Sequence, residues 1–248
     1  MGKSIAAFFD IDGTLYREGL ITELFKKLIK SEIIESEKWY KDVKPYYVKW
    51  DKRMGNYDQY LLRMADIYTD AIKGLHKSQI DHIAKLIIKQ KGDRVYTYTR
   101  DRIRWHKEKG HITITISGSP RELVSEMAQR HGFDDFIGTD YKINENNIYT
   151  GEVVPMWDSV NKQRAIEEFV TKYDIDLNNS YAYGDTSGDF SMLQLVKNPS
   201  VINPTREILD KILEDDEVRE KINIIVERKD VVYKLKPDCI NFYEYEKE

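Results

Sequence analysis

Ser4-Ile5-Ala6-Ala7-Phe8-Phe9-Asp10-Ile11-Asp12-Gly13-Thr14-Leu15 is the stretch on which the reading of this chain turns. An apolar run from Ile5 to Phe9 stops on two carboxylates, and Asp12-Gly13-Thr14 turns the chain. A run this short and apolar on both alternating faces reads as a strand buried on both sides, the kind that occupies parallel sheets. It is too short for a secretory signal core or a membrane span. Asp10 and Asp12 thus stand where a buried strand gives out.

The pattern then changes. From about Gly19 to Lys91 apolar residues recur at helical spacing: Leu20, Leu24, Phe25 and Leu28, later Tyr57, Tyr60, Leu61, Met64, Ile67 and Tyr68, and last Ile80, Ile83, Ala84 and Ile87. No strand period interrupts them, so the segment reads as an all-helical insert. Its aromatic residues read first as helix-packing core, with some rings available to line a pocket. After it, strands and helices alternate. Tyr98–Lys109 is a helix stopped by Gly110, and His111–Ile116 (HITITI) a β-branched strand. Pro120–Arg130 is a helix with proline near its first turn. Phe136–Lys142 and Ile148–Val154 flank Asn146-Asn147 as a hairpin. Val160–Tyr173 is a helix, Ser180–Tyr183 a strand, Asp189–Val196 a helix, Ser200–Ile202 a strand and Thr205–Leu213 a helix, and Ile222–Val226 has the composition of a last strand. This alternation predicts an α/β fold, an open and mostly parallel Rossmann-like sheet, with its ligand site beyond the carboxyl ends of the strands.

Composition narrows the function classes. Of 248 residues, 41% are hydrophobic, enough for a core, and 33% are charged, against a membrane-embedded body. The net charge of -4 leaves no electrostatic footprint for nucleic acid. One cysteine, Cys239, excludes an intrachain disulfide and a cysteine zinc cluster, and reads as a buried or inert thiol. The expectation is a soluble, cytoplasmic protein with no nucleic-acid or membrane partner. The five histidines show no metal spacing, and GxGxxG, GxxxxGK[ST] and HExxH are all absent.

Four strand or helix starts carry polar residues: Asp10 to Leu15, Ser117-Gly118 after HITITI, Lys162 at a helix start, and Gly184-Asp185-Thr186-Ser187-Gly188-Asp189 after Tyr181-Ala182-Tyr183. The predicted sheet brings them to one rim. Asp10, Asp185 and Asp189 are hard oxygen donors of the kind Mg2+ prefers. Ser117 and Gly118 suit a phosphate beside a helix N-terminus, and Lys162 offers a point cation. Phosphoryl transfer needs mainly positioning and charge stabilisation, and this set supplies both.

FFDIDGTL (8–15), TISGSP (115–120), Asn161-Lys162 and YGDTSGDFSML (183–193) resemble, in that order, the four motifs of the haloacid dehalogenase (HAD) superfamily. A helical stretch between the first and second motifs is similar to subfamily I. Tyr149-Thr150-Gly151-Glu152-Val153 looks like the phosphoserine phosphatase branch, the IB group. The resemblance covers about 5–17 and 96–203. It implies a core of 1–17 and 92–248 and a type C1 helical cap, 18–91, inserted after the first strand. It implies a Mg2+-dependent phosphatase acting on a small phosphorylated metabolite through an aspartyl-phosphate. Asp10 would be the nucleophile and a metal ligand. Asp12 would be the general acid and then base, with its carbonyl on the metal. Thr14 would support the loop at the phosphate site, Ser117 and Gly118 would bind phosphate, and Lys162 would balance charge. Asp185 and Asp189 would complete the metal set.

An ungapped comparison puts Gly19 where phosphoserine phosphatases carry a glutamate for the substrate amino group, with Glu18 one residue earlier. It puts Met64 where they carry an arginine for the carboxylate, with Arg63 adjacent. Gly188 replaces the family's asparagine. Glu18 and Arg63, with Arg53 and the cap tyrosines, are the candidate specificity residues. Two other readings remain open on the same scaffold: a phosphotransferase or phosphomutase, and a catalytically silent phosphate-binding regulator.

Overall fold

In the computed structural model, which describes residues 2–52, 54–55 and 57–242, strand β1 (Ala6–Phe9) is the most enclosed element of the chain. All four of its side chains are inaccessible. Its alternation assigns them to two different cores. Ala7 and Phe9 face a cluster that includes most of the helical insert, whereas Ala6 and Phe8 face the helices on the opposite side of the sheet. Successive side chains of a strand point to opposite faces, so a strand apolar at every position must be covered twice.

The insert follows as α1 (Leu20–Lys30), α2 (Ser36–Lys38), a π-helical turn (Trp39–Val43), α3 (Lys44–Asp51), α4 (Tyr57–Ile72) and α5 (Lys77–Lys91). Helix α1 buries Leu20, Ile21, Leu24, Phe25 and Leu28, a stripe at helical period. The remaining elements are α6 (Thr97–Glu108), β2 (Ile112–Pro120), α7 (Arg121–His131), β3 (Asp135–Ile143), β4 (Tyr149–Val154), α8 (Ser159–Tyr173), β5 (Tyr181–Gly184), a 3-10 turn (Ser187–Asp189), α9 (Phe190–Leu195), β6 (Asn198–Ile202), α10 (Arg206–Glu214), α11 (Asp216–Lys221), β7 (Asn223–Arg228) and β8 (Val231–Leu235).

The described residues form one eight-stranded sheet in the order β4-β3-β2-β1-β5-β6-β7-β8. All pairings are parallel except the two edge hairpins, β3–β4 and β7–β8. The mostly parallel α/β sheet expected from the sequence is present. The chain runs outward from β1 through β2 to β4, then returns to pair β5 on the other flank of β1. Strand order therefore reverses at β1, and a crevice opens beyond its carboxyl end. The alternation in HITITI has a structural cause: Ile114 and Ile116 join one core, while Thr115 turns to the other face and donates to the Phe9 carbonyl at 3.0 Å.

Differences from the expected elements are local. β2 runs on through Ser117-Gly118-Ser119-Pro120, so the phosphate-motif serine lies within a strand and Pro120 becomes the N-cap of α7. Asn147 takes a left-handed φ of 58° in the β3–β4 turn. Strand β8 and helix α11 have no counterpart in the sequence reading. Cys239 is exposed rather than buried. Among the described residues no helix is long and apolar enough to cross a membrane.

Beneath the sheet, His106 is fully buried, with Nε2 2.9 Å from the Tyr183 hydroxyl and Nδ1 2.8 Å from Nδ1 of His111. Burial, then the Arg102 guanidinium and His111, push its pKa down from 6.5 to about 3. The unfolded chain takes up the proton as pH falls through 6.5, whereas the folded chain resists it. This contribution to stability is therefore complete above pH 6.5 and is lost progressively between 6.5 and about 3. Denaturant unfolding at pH 7.5 and pH 5 will show a loss of about 2 kcal/mol from this group, and His106→Gln will flatten the slope by that amount. Parallel pH profiles for the two proteins would refute the assignment.

Candidate active site

The strand ends deliver their side chains to one place. Asp10 follows β1 and is 5% exposed; Asp185 follows β5, and Asp189 closes the 3-10 turn beyond it. One carboxylate oxygen from each of the three lies within 4.8 Å of the others. Lys162, on the first turn of α8, reaches between them. Its Nζ donates to Asp10 Oδ1 at 2.7 Å and to Asp189 Oδ1 at 2.5 Å, with the lysine only 3% exposed. Asp189 Oδ2 accepts the main-chain N–H groups of Asp185 at 3.0 Å and Thr186 at 3.1 Å, so both of its oxygens are engaged. No hydrogen bond reaches Asp10 Oδ2 among the described residues, and Asp10 lines the open cavity.

Thr14 lies behind this set. It is inaccessible, donates to Asp185 Oδ1 at 3.0 Å, and does not line the cavity. Its place is that of a support for Asp185, not a contact for phosphate. Gly13 has φ +87°, and a Cβ there would collide with the Asp185 carboxylate. The loop can therefore pass this close only with glycine.

Asp12 is held by three donors. The Leu20 N–H at the start of α1 meets Oδ1 at 2.6 Å, and the hydroxyls of Ser117 (3.1 Å) and Ser119 (2.6 Å) meet Oδ2. Ser117 is buried and also accepts the Ser119 N–H at 3.1 Å, whereas Gly118 and Ser119 line the cavity. Ser119 was missed from the sequence, although it stands one residue beyond the motif pair. Burial pushes the Asp12 carboxyl above its ordinary range, with the serine and Leu20 hydrogen bonds opposing.

Burial likewise pushes Asp10 up to about 8 against the pull of Lys162, and raises Asp185 well above the carboxylate range, with Asp10 and Asp189 adding to the rise. Burial works against the Lys162 ammonium, but Asp10 and Asp189 outweigh it, and the lysine is held protonated. A single buried ammonium does not balance these carboxylates. The excess negative charge, carried on oxygen in a closely spaced group, fits a hard divalent cation.

The cavity above measures about 380 Å³, within the range of small-molecule sites. Its floor is Asp10, Asp12, Gly118, Ser119, Lys162 and the 186–188 loop. Trp157 forms one wall, and its backbone also explains Gly188. A Cβ at Gly188 would press into the Trp157 carbonyl oxygen, so the side chain expected there is excluded by the chain itself. Neither proposed specificity residue lines the cavity. Glu18 pairs with Arg94 at 2.7 Å, and Arg63 with Asp42 at 3.6 Å. Arg53 lies outside the described residues.

Comparison with known proteins supports the family. The model for haloacid dehalogenase-like hydrolase matches residues 7–194. The chain is 25% identical over 205 residues to the "Inhibition of morphological differentiation protein" of Streptomyces azureus, covering 82% of this chain and 73% of that one. It is 27% identical over 202 residues to a protein of Mycobacterium tuberculosis named a probable phosphatase, covering 81% and 69%. Among solved structures, a protein of unknown function from Bordetella pertussis Tohama I superposes with a TM-score of 0.70 at 15% identity, covering 86% and 96%. A phospho-aspartyl intermediate analogue of phosphoserine phosphatase gives 0.59 at 18% identity, covering 92% and 96%. At such identities the structures speak to the fold alone.

Two outcomes follow from the geometry. Divalent cation at about a hundredfold its Kd stabilises the chain by about 2.7 kcal/mol, roughly 5–10 °C in Tm for a domain of this size. Asp185→Asn will lose most of that shift in a thermal melt, and an undiminished shift would place the ion elsewhere. Gly188→Asn, which restores the family's side chain, will cost about 1–3 kcal/mol in denaturant unfolding because of the Trp157 carbonyl; a neutral result would mean that the 157 segment yields.

Proposed function

The chain belongs to the haloacid dehalogenase-like hydrolases, and from that premise we propose that it is a Mg2+-dependent phosphomonoesterase that works through an aspartyl-phosphate on Asp10. The observation that carries this reading is the buried bridge from Lys162 to Asp10 Oδ1 on a residue that also lines the cavity. A phosphatase-named relative supports the reaction class.

Residues 1–17 and 92–248 serve as the catalytic core, and 18–91 as a helical cap over it. Asp10, Asp185 and the Asp12 main-chain carbonyl would hold the Mg2+. Asp189, with both oxygens engaged, would act through water or by fixing Lys162 and the loop. A bound Mg2+ supplies positive charge that keeps the carboxylates ionised and stabilises charge on the phosphoryl oxygens.

Lys162 holds Asp10 in one rotamer and turns Oδ2 toward the phosphorus. Oδ2 attacks, the bond from phosphorus to the ester oxygen breaks, and the departing alcohol takes a proton from Asp12. The raised pKa of Asp12 suits a group that must carry that proton. Asp12, now ionised, draws a proton from a water that attacks the aspartyl-phosphate, releasing phosphate and restoring Asp10. The Gly118 and Ser119 segment and Lys162 receive the phosphoryl oxygens, while Ser117 orients Asp12.

Asp12 also separates this reading from dehalogenation, which needs no acid for its leaving group. A phosphomutase would keep the same acid; release of phosphate rather than transfer to an added acceptor distinguishes hydrolysis.

With an aryl phosphate and Mg2+, Asp10→Asn will abolish phosphate release, and Asp12→Asn will lower kcat by about 10²–10⁴ with a smaller change in KM. Undiminished turnover by Asp10→Asn, free of contaminating phosphatase, would sink the proposal.

A further inference from the structure

The cavity has two chemically distinct halves. The polar and charged groups on its floor belong to the strand ends, the loops beside them and the first turn of α8. The side that the helical insert contributes is different: Gly19 and Ile21 at the start of α1, and Leu61, Leu62 and Ala65 on one face of α4. Among the described residues, none of these carries a polar side-chain atom. Tyr141 continues the apolar wall. Its ring packs edge-on against Tyr68 at 4.8 Å, and its hydroxyl is bonded to the Thr69 side chain. Trp157, 38% exposed, closes the side. Besides Lys162, the cation in the lining is Lys211, and it already faces Glu207 at 3.6 Å.

A zwitterionic leaving group needs an anion for its ammonium and a cation for its carboxylate. Burying either against this wall without a partner is costly. The charges of the insert that could have answered, Glu18 and Arg63, are paired elsewhere with Arg94 and Asp42, and the Asp158 carboxylate in the lining is taken up at both oxygens by Asn161. Met64 is inaccessible within the helical core, so α4 is rotated to offer leucine and alanine to the cavity. A hydrocarbon face on the leaving group would instead gain from each buried methylene.

We propose that the site is selective for phosphate monoesters of apolar alcohols, with Ile21, Leu61, Leu62 and Ala65 as the residues that select them. This rests on the phosphomonoesterase reading of the same site. The phosphate sits on the charged floor, and the apolar remainder of the alcohol lies against α1 and α4. Leu62 is 45% exposed, as expected of a side chain at the mouth of a cavity whose ligand would cover it.

The test uses the full chain with Mg2+ and a series of straight-chain alkyl phosphates from methyl to octyl, with O-phospho-L-serine and p-nitrophenyl phosphate alongside. The expected result is a kcat/KM that rises about three- to fourfold per methylene until the cavity is filled, and exceeds that for phosphoserine by at least about tenfold. In Leu62→Asp, and separately in the milder Leu61→Ala, the slope with chain length will fall while methyl phosphate and the longer esters converge. Turnover of p-nitrophenyl phosphate with a flat or falling alkyl series, or with phosphoserine preferred, overturns the selectivity and leaves the phosphatase reading standing. Phosphate release from none of the esters overturns both.

Discussion

The Lys162 ammonium, buried between Asp10 and Asp189, is the interaction on which the carboxyl rim of the sheet depends. Three carboxylates from beyond two strand ends could not otherwise converge out of water. Removing one partner of such a buried pair typically costs about 3–5 kcal/mol, because the remaining charge has neither solvent nor counterion. Here the lysine is also outnumbered. It meets Asp10 and Asp189 directly, while the hydrogen bond to the Asp185 carboxylate comes, among the described residues, from the Thr14 hydroxyl, and burial pushes Asp185 toward its protonated form. The site is thus built with a deficit of positive charge, a deficit that a divalent cation would offset. Stability has been exchanged for a place where a phosphoryl group and a metal can meet.

Asp12 solves a different problem. Its carboxylate accepts the first free N–H of α1 and the hydroxyls of two β2 residues, so one side chain joins the insert to the sheet. A carboxylate at a helix start is favoured by the exposed amides and the helix dipole. The same residue that would handle the leaving group's proton also fixes the entry of the chain into α1. A second junction lies on the far side. The Gly74 N–H meets the Tyr149 carbonyl, and the Tyr149 N–H meets the Leu75 carbonyl, tying the α4–α5 connection to the β3–β4 hairpin. The insert and one face of the sheet share a single apolar cluster running from Ala7 and Phe9 to Ile88. The cavity lies between elements pinned at both ends.

Much of this was legible in the sequence because β1 is buried on both faces. Ile5 to Phe9 followed by Asp10 admits few alternatives, and a central parallel strand implies flanking strands, helices on both sides and a site at its end. The unread parts have physical reasons. Strand β8 is an edge strand with Val231, Val232 and Tyr233 exposed, so no burial alternation marks it. Helix α11 is a short charged turn whose buried residue is Val218 alone. Ser119 carries no motif position of its own and meets Asp12 because β2 continues through it. Glu18 and Arg63 carry the family's charges one residue away from the positions of Gly19 and Met64, and charge says nothing about direction. Each step along a helix turns the side chain by about 100°, and the phase of α4 is set by packing that an ungapped comparison does not contain.

That phase separates reaction from selectivity. The floor of the cavity is assembled from residues far apart in the chain and at fixed offsets from strand ends, so its chemistry is constrained by the sheet and survives wide divergence. The roof belongs to one face of α4 and the first turn of α1, where no strand register dictates identity. Tyr60, Met64 and Tyr68 are buried in the helical core, and their packing leaves Leu61, Leu62 and Ala65 to line the cavity. A one-residue turn of α4, about 100°, would bring Arg63 and Asp66 round in place of Leu61 and Ala65 and change the polarity of the roof without touching the floor. Selectivity on this scaffold is therefore governed by how the insert packs upon itself, and it can shift while Asp10, Lys162 and Asp185 stay where they are.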